Sequence, residues 1–200
     1  YEMVREGAFW HVGTPVVESP LVTIVTRTYR KREEFLRQSI MSVLNQTYRN
    51  IELIVVEDGG STMKSLVEKT PSVYGLSVRF FGLEKVGRSV TGNHGLEMAT
   101  GRYCMFLDDD DLLFPDHVEI LIAALLKEEQ AVAAYSLAME VGTVAGHEGR
   151  YVEVSHETNA AFKQDFDYET LLDHNYIPIQ SILFKRDLYM ERGGFETDMS

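Results

Sequence analysis

The sequence has a single cysteine, no long apolar run and a deficit of positive charge, and each of these absences excludes a class of protein. One cysteine cannot form a disulfide within the chain. Because Cys104 lies between Tyr103 and Met105 in an apolar segment, we expect a buried, unreactive thiol. No segment approaches the roughly 20 consecutive apolar residues that span a bilayer, and residues 1–20 lack the pattern of a secretory signal. We therefore expect a cytoplasmic protein without a transmembrane segment, and assign any peripheral membrane attachment to regions outside this chain.

The charge balance bears on the partner. A formal net charge of -12 argues against nucleic acid, since binding a polyanion requires a surface rich in Lys and Arg. An anionic ligand would have to be neutralised locally. The 44% hydrophobic and 25% charged content is that of one ordinary globular domain. Residues 1–20 carry glycines and prolines without a periodic pattern, which predicts a linker or the tail of a preceding segment, and residues 21–200 form the predicted domain.

Apolar runs and amphipathic segments alternate along residues 21–200. The predicted strands are Leu21 to Val25, Ile51 to Val56, Val78 to Phe81, Tyr103 to Leu107 and Ile179 to Phe184, with further strands broken by glycines in residues 131–156. The predicted helices cover Leu36 to Leu44, Ser89 to Ala99, Pro115 to Leu125 and Tyr168 to Leu172. The alternation predicts a doubly wound, mainly parallel sheet, whose ligand site lies at the carboxyl ends of its strands.

Four consecutive aspartates, Asp108 to Asp111, follow the predicted strand Tyr103 to Leu107. Adjacent carboxylates repel one another, so at the mouth of a parallel sheet they indicate a cation, and their hard oxygen ligands suit Mg²⁺ or Mn²⁺. Residues i and i+2 of an extended segment project to the same side, which lets Asp108 and Asp110 address one ligand together, such as a ribose and a metal holding a diphosphate. The alternative is an acidic, solvated turn before the next helix.

A second acidic turn, Glu57 to Ser61, also follows an apolar strand. Asp58 can accept a hydrogen bond from a nucleobase. The two glycines permit a close backbone approach or a positive φ, and Ser61 can cap the helix that follows. The same segment is also compatible with ordinary turn chemistry.

Two basic segments can complete a nucleotide site. In the segment Thr26 to Arg30, after the first strand, the Tyr29 ring can stack on a base, and Arg27 or Arg30 can meet phosphate. Arg88 stands where a helix begins, a position that favours a diphosphate. The alternative for both segments is an exposed basic loop.

Taken together and in order, these segments resemble the inverting family 2 glycosyltransferases of the GT-A fold, from Leu21 almost to Ser200. Ser42 to Tyr48 matches the Ser-Val-Leu-x-Gln-Thr-Tyr helix end of that family. The other matching segments are Val22 to Tyr29, Ile51 to Gly59, Asn93 to Asp111, Ser181 to Arg186 and Gly193 to Phe195. The resemblance implies a three-layer α/β/α sandwich with a mainly parallel central sheet.

Position by position, the resemblance also implies site roles. It implies that Thr28 and Tyr29 line the base pocket and that Asp58 contacts the uracil or other base. It further implies that Asp108 or Asp109 touches the ribose.

The metal and the reaction follow from the same resemblance. Asp110 is implied to bind Mg²⁺ or Mn²⁺ on the diphosphate, where a cation offsets the charge of the leaving group. A carboxylate base deprotonates the acceptor hydroxyl. In the family that base lies some way past the turn that matches Gly193 to Phe195, so we expect it beyond residue 200 and regard Asp198 as too early. This would leave the domain incomplete at its C-terminal end.

Four positions depart from the common family pattern. The family has Pro at Arg27, Asn at Arg30, Asp at Glu57 and Arg at Gly92. These departures affect the expected diphosphate contacts more than the fold, and Arg88 or Arg27 is expected to compensate.

The function implied is transfer of a sugar from a nucleoside-diphosphate donor, with a UDP-sugar favoured, to a hydroxyl group of a saccharide, lipid-linked glycan or protein. Inversion, and a place in polysaccharide or glycoconjugate biosynthesis, are implied as well. One alternative is a nucleotidyltransferase that makes nucleotide sugars, which would place a glycine-rich loop after its first strand. Thr26 to Arg30 has no glycine. Another is a non-catalytic module whose aspartates hold a cation, such as structural Ca²⁺, or that binds a nucleotide.

Overall fold

A computed structural model describes residues 19–146 and 151–197. Its strands are β1 (Val22–Thr28), β2 (Ile51–Asp58), β3 (Leu76–Leu83), β4 (Tyr103–Phe106), β5 (Ala133–Tyr135), β6 (Glu140–Ala145), β7 (Tyr151–Glu157) and β8 (Ile182–Lys185). Its α-helices are α1 (Glu33–Leu44), α2 (Lys64–Glu68), α3 (Arg88–Met98), α4 (His117–Lys127), α5 (Tyr168–Asp173) and α6 (Asp187–Arg192). Short 3₁₀ turns lie at Ala160–Phe162 and Ile179–Ser181. Within these described ranges, no helix has the length and apolar character needed to cross a membrane.

Six strands form the main sheet in the order β3-β2-β1-β4-β8-β5. The first four are parallel neighbours, whereas β8 runs antiparallel to both β4 and β5. β6 and β7 form a separate antiparallel pair. The predicted mixed α/β fold with a mainly parallel central sheet is therefore confirmed.

The two faces of the main sheet carry two apolar cores. Every residue of β1 is buried, and because successive side chains of a strand alternate between faces, Val22 and Ile24 belong to one core and Val25 to the other. Buried residues of α1, α2 and α4 complete the first core, and Leu96 of α3 packs into the second. Helices thus cover both faces, which gives the predicted three layers.

Some predicted details differ in the structure. The last strand was predicted to begin at Ile179 but begins at Ile182. Residues Ile179–Ser181 form a 3₁₀ turn that follows Pro178. Ser61 does not cap α2, whose N-cap is Met63 and which has no side-chain capping bond. Of the predicted linker, residues 1–18 lie outside the described residues.

Cys104 lies fully buried on β4, as predicted. Burial raises the pKa of its thiol to about 12. The nucleophilic thiolate is therefore scarce at neutral pH, and the residue serves packing.

Glu52 on β2 is a buried charged residue, with only 4% of its surface exposed, and it bonds to three other segments of the chain. Its carboxylate accepts hydrogen bonds from Thr23 Oγ1 at 2.8 Å, the Thr100 backbone N–H at 2.9 Å and Arg79 Nη1 at 2.8 Å. Burial acts to raise the pKa of Glu52, but these donors outweigh it, and the net pKa lies below its ordinary value.

We expect Glu52→Gln to lower the free energy of unfolding at pH 7 by about 1–3 kcal/mol, because buried donors lose a charged acceptor. A lowered folded-state pKa stabilises the protein above the ordinary pKa of 4.5, and that contribution is lost as the pH falls. Urea unfolding should therefore show a difference from the unmodified chain that is large at pH 7 and shrinks below about pH 4.5. The exposed pair Lys64–Glu68 offers a control, since Glu68→Gln should cost less than about 0.5 kcal/mol. Equal differences at both pH values would contradict the ionic role of Glu52.

Candidate active site

A cavity of about 360 Å³ opens at the carboxyl ends of β1, β2 and β4. It is lined by Thr28, Tyr29, Asp58, Arg88, Asp108, Asp109 and Asp110, which the sequence indicates for nucleotide and metal. Of the two further candidates for phosphate, Arg27 lines this cavity, whereas Arg30 lines a neighbouring cavity of about 690 Å³. The wall also contains Arg32, Lys85, Gly87 and Thr91, which were not predicted as site residues.

The sheet explains why these side chains meet. β1 is the parallel neighbour of both β2 and β4, so the three strands end at the same edge. Leu107, just past β4, still donates its N–H to the Val25 carbonyl at 3.0 Å. Asp108 is therefore the first residue to leave the sheet, directly beside Arg27.

Asp108 is held by Arg27 in a two-pronged ion pair. Arg27 Nε lies 2.8 Å from Asp108 Oδ1, and Nη2 lies 2.8 Å from Oδ2. The guanidinium also lies 5.2 Å from the ring centre of Phe106 and 5.5 Å from that of Phe195. Arg27, which the sequence suggests as a phosphate ligand, is thus paired with a carboxylate.

Asp109 and Asp110 share one arginine. Asp109 is 4% exposed and accepts hydrogen bonds from Thr28 Oγ1 and from Arg32 Nη2, each at 2.7 Å. The same Arg32 nitrogen lies 2.7 Å from Oδ2 of Asp110, whose side chain is 54% exposed. Hydrogen bonding to Asp109 leads the effects that raise the pKa of Arg32 above its ordinary value.

Asp111 does not line the cavity of about 360 Å³. It lines a second cavity of about 320 Å³ together with Asp110, Phe114 and His117. Burial, followed by the charges of the neighbouring aspartates, raises the pKa of Asp111 to about 7. Burial also lowers the pKa of His117 to about 4, so this imidazole is neutral at physiological pH.

Asp58 organises the loop that leads into α3. Its Oδ1 accepts the N–H groups of Val86 at 2.8 Å and Gly87 at 3.1 Å, and its Oδ2 pairs with Lys85 Nζ. Burial acts to raise the pKa of Asp58, but Lys85 and the two backbone donors lower it overall. Asp58 therefore has a structural task beside any contact with a base.

Glu57 has a local structural explanation. It is fully buried, and its carboxylate accepts hydrogen bonds from Thr62 Oγ1 and from the Met63 N–H, the latter at 2.8 Å. The side chain of Glu57 thus bridges the turn and holds the start of α2.

Two of the departures from the family pattern are adjacent in space. A Cβ atom on Gly92 would lie 3.4 Å from Arg27 Cδ and 2.9 Å from the Phe195 ring. Arg27 therefore extends into the space over α3 that a side chain at position 92 would need.

Asn93 holds the turn that contains Gly193 and Phe195. Its Nδ2 donates to the Phe195 carbonyl at 2.8 Å, and its Oδ1 accepts the Phe195 N–H at 2.7 Å. Gly193 adopts a φ of 82°, in the left-handed region that favours glycine. Asp198, considered as a base from sequence, lies outside the described residues.

The donor set fits a divalent cation that arrives together with a diphosphate. Among the residues that the structure describes, no group of three or more His, Cys, Asp or Glu side chains is arranged to hold a metal ion. Mg²⁺ is usually bound through one or two carboxylates plus substrate phosphates rather than in a cage of protein ligands. Asp110, more than half exposed and beside Asp109, provides that kind of partial site.

We expect Arg27→Met to leave the Asp108 carboxylate without its two-pronged partner. The free energy of unfolding should fall by about 1–3 kcal/mol, and affinity for nucleoside diphosphate by about 10-fold, because a largely buried carboxylate loses its ionic partner. Chemical unfolding and calorimetry measure the two effects. Arg37→Met removes an equal charge from an exposed arginine 4.0 Å from Glu34 and should change stability by less than about 0.5 kcal/mol. Equal effects of the two variants would show that the Arg27–Asp108 pair is unimportant.

Solved structures share this fold. S. aureus TarS 1-349 in complex with UDP-GlcNAc aligns with a TM-score of 0.61 at 21% identity, over 86% of this chain and 47% of the TarS chain. The mannosyltransferase PcManGT from Pyrobaculum calidifontis, in complex with GDP-Man and Mn²⁺, aligns with a TM-score of 0.62 at 19% identity, over 98% of this chain and 54% of the other. The chain therefore has the GT-A fold of nucleotide-sugar glycosyltransferases.

Sequence similarity narrows the class to one family. A protein of Haemophilus influenzae named as an uncharacterized glycosyltransferase is 34% identical over 173 residues, which cover 84% of this chain and 63% of the relative. The family model for glycosyl transferase family 2 matches residues 23–190. The chain belongs to glycosyl transferase family 2. It spans less than two thirds of the length of the Haemophilus relative.

Proposed function

We propose that this chain binds a nucleoside-diphosphate sugar together with Mg²⁺ or Mn²⁺ and takes part in transferring the sugar to a hydroxyl acceptor with inversion. One observation carries the proposal. A single cavity of about 360 Å³ at the carboxyl edge of the sheet is lined by Thr28, Tyr29, Asp58, Arg88 and Asp108 to Asp110, the side chains that the sequence indicates for nucleotide and metal. Ligands of open α/β sheets bind at this edge.

The charges on the cavity wall support an anionic ligand despite the acidic composition of the chain. The cations that line it are Arg27, Arg32, Lys85 and Arg88. Arg88 is the first residue of α3, an 11-residue helix, where backbone N–H groups also favour negative charge. The diphosphate is assigned to the Arg88 side of the cavity.

The remaining roles follow from the positions of the side chains. Tyr29 is half exposed at the mouth and can stack on the base, next to Thr28. Asp58 is assigned to the base edge, and Asp108 or Asp109 to the ribose. Asp110 is assigned to the divalent cation, which when bound supplies neutralisation of the leaving diphosphate.

The neighbouring structures guide the choice of donor and cation. TarS 1-349 was solved with UDP-GlcNAc, and the Pyrobaculum enzyme with GDP-Man and Mn²⁺. We propose a UDP-sugar as donor and residues 21–200 as the donor-binding domain.

The acceptor is assigned to the second cavity, of about 320 Å³. This cavity shares Asp110 with the donor cavity, so an acceptor hydroxyl there lies on the other side of the proposed metal ligand. A saccharide, a lipid-linked glycan and a protein side chain all present such a hydroxyl. The reaction is assigned to polysaccharide or glycoconjugate biosynthesis.

A thermal-shift experiment with UDP, UDP-GlcNAc, GDP and CDP, each with and without Mn²⁺, tests the proposal. Ligand binding to the folded state raises the midpoint in proportion to affinity. Nucleotide and Mn²⁺ together should raise the midpoint more than the sum of their separate effects. If Mn²⁺ or Ca²⁺ alone raises the thermal midpoint fully and nucleotide adds nothing, the cation site is structural. If no nucleotide raises the midpoint, the donor assignment is refuted.

A further inference from the structure

Arg32 forms an ion pair with Asp110, the carboxylate to which the proposed function assigns the cation. Its Nη2 atom lies 2.7 Å from Asp110 Oδ2 and 2.7 Å from Asp109 Oδ1, so one nitrogen bridges the two side chains. Arg32 Nε also lies 3.2 Å from both Asp109 oxygens. Arg32 thus pairs with both carboxylates at the proposed cation site.

The position of the guanidinium is fixed by its surroundings. Its central carbon lies 4.3 Å from the ring centre of Phe35 and 5.2 Å from that of Tyr29. Lys31, directly before it, has a φ of 67°, in the left-handed region that a side chain rarely adopts. Arg32 is only 17% exposed, although it leaves from a surface loop. Several independent features therefore hold it over the aspartates.

A divalent cation and this guanidinium compete for the same oxygen atoms. Mg²⁺ or Mn²⁺ would take carboxylate oxygens as ligands, so a guanidinium nitrogen on the same carboxylate would face a double positive charge within a few ångströms. The Arg32 contact has to be given up when the cation binds. Releasing it is unfavourable unless another anion is present to pair with Arg32.

We propose that Arg32 is a positioning residue that makes cation binding depend on the nucleoside diphosphate. Without nucleotide it holds Asp110 against Asp109 and keeps cation affinity low. With nucleotide, the cation takes Asp110 while Arg32 pairs with the diphosphate, whose cavity it lines together with Arg88. This inference rests on the proposed function, since it takes a diphosphate and a divalent cation as the ligands.

The proposal has a thermodynamic consequence that can be measured. If the diphosphate tightens cation binding, the cation must tighten diphosphate binding by the same factor. Removing Arg32 should therefore do two things at once. It should raise affinity for the cation alone, and it should reduce the factor by which nucleotide improves that affinity.

The experiment is an electron paramagnetic resonance titration of free Mn²⁺ at pH 8, with and without UDP. The variants are Arg32→Met, which keeps an unbranched stem beneath Phe35 and Tyr29, and Arg32→Lys, which keeps the charge. Lys127→Met serves as the control, because Lys127 is an exposed cation in the last turn of α4 and has no place in the proposed site. A double variant, Arg32→Met with Asp110→Asn, tests whether the effect passes through Asp110. Thermal midpoints check that each variant is folded.

We expect Arg32→Met to bind Mn²⁺ alone about 10-fold more tightly than the unmodified chain, the size expected for removing one charge a few ångströms away at a half-exposed site. The gain from UDP should shrink by a similar factor. Arg32→Lys should bind Mn²⁺ more weakly than Arg32→Met. Lys127→Met should shift the affinity by less than about 2-fold, because solvent and salt screen an exposed charge. The double variant should lose the tighter binding.

Unchanged or weaker Mn²⁺ binding by Arg32→Met would overturn the inference, as would an unreduced gain from UDP. Absence of measurable Mn²⁺ binding in Arg32→Met would overturn it too. Tighter Mn²⁺ binding by Arg32→Met, with no effect of UDP or GDP in any variant, would instead refute the proposed function and the nucleotide half of the inference, while leaving the Arg32 contact as a block on the cation.

Discussion

Asp110→Asn is expected to abolish cation-dependent nucleotide binding, with affinity for UDP in Mn²⁺ falling by more than about 100-fold. Replacing a residue that merely supports a metal ligand typically costs 10–100-fold, and Asp110 is assigned to the metal itself. The amide that replaces it carries no charge for the cation. Because the Asp110 side chain is 54% exposed and its described partner is Arg32, the fold should be unaffected.

Calorimetry with UDP in Mn²⁺ and in a chelator measures this effect, and the thermal midpoint reports the fold. Asp116→Asn is a suitable control because Asp116 precedes α4, makes no side-chain capping bond there and carries the same charge. It should leave UDP affinity unchanged. Binding of UDP by Asp110→Asn at unmodified strength in Mn²⁺ would show that Asp110 is not the metal ligand.

Asp58→Asn should lower affinity for UDP by about 10–100-fold. This is the contribution of one hydrogen bond between the base edge and a charged carboxylate, which the variant loses. The asparagine retains an oxygen that can accept the N–H groups of Val86 and Gly87, so the loop before α3 keeps its anchor. Binding of pyrophosphate in Mn²⁺ should therefore change by less than about 3-fold, since that ligand has no base.

Asp58→Ala separates the two tasks of this side chain. It removes the base contact and the loop anchor together, so pyrophosphate binding should weaken as well as UDP binding. Calorimetry with both ligands on both variants gives the comparison. Equal losses for UDP and pyrophosphate in Asp58→Asn would count against base recognition and leave Asp58 with its structural role alone.

The sequence was a good guide to carboxylates that lie directly at strand ends. Asp58 and Asp108 to Asp110 follow apolar runs, and because β1, β2 and β4 are parallel neighbours, the end of each run marks the same edge of the sheet. This rule predicts the acidic side chains of the cavity.

The cations of the cavity could not be predicted in the same way. Lys85 and Arg32 reach Asp58 and Asp109 from loops that have no hydrophobic period, and long side chains can point in many directions from such loops. The position of the Arg32 guanidinium depends on the left-handed turn at Lys31 and on the Phe35 ring beside it. Arg30, Lys31 and Arg32 form a basic run in the sequence, but nothing in that run indicates that Arg32 is the residue that reaches the aspartates.

The insertion of β8 between β4 and β5 has a consequence for the order of assembly. β1 to β4 and their connecting helices follow one another in the sequence, whereas β4 obtains its second neighbour only when Tyr103 pairs with Lys185. Contacts between distant segments cost more chain entropy and form late in folding. Until β8 arrives, β4 is an open sheet edge that can pair with other chains, and it is the strand that leads directly to the four aspartates. Sequence changes that delay β8 should therefore favour aggregation through the strand beside the donor cavity.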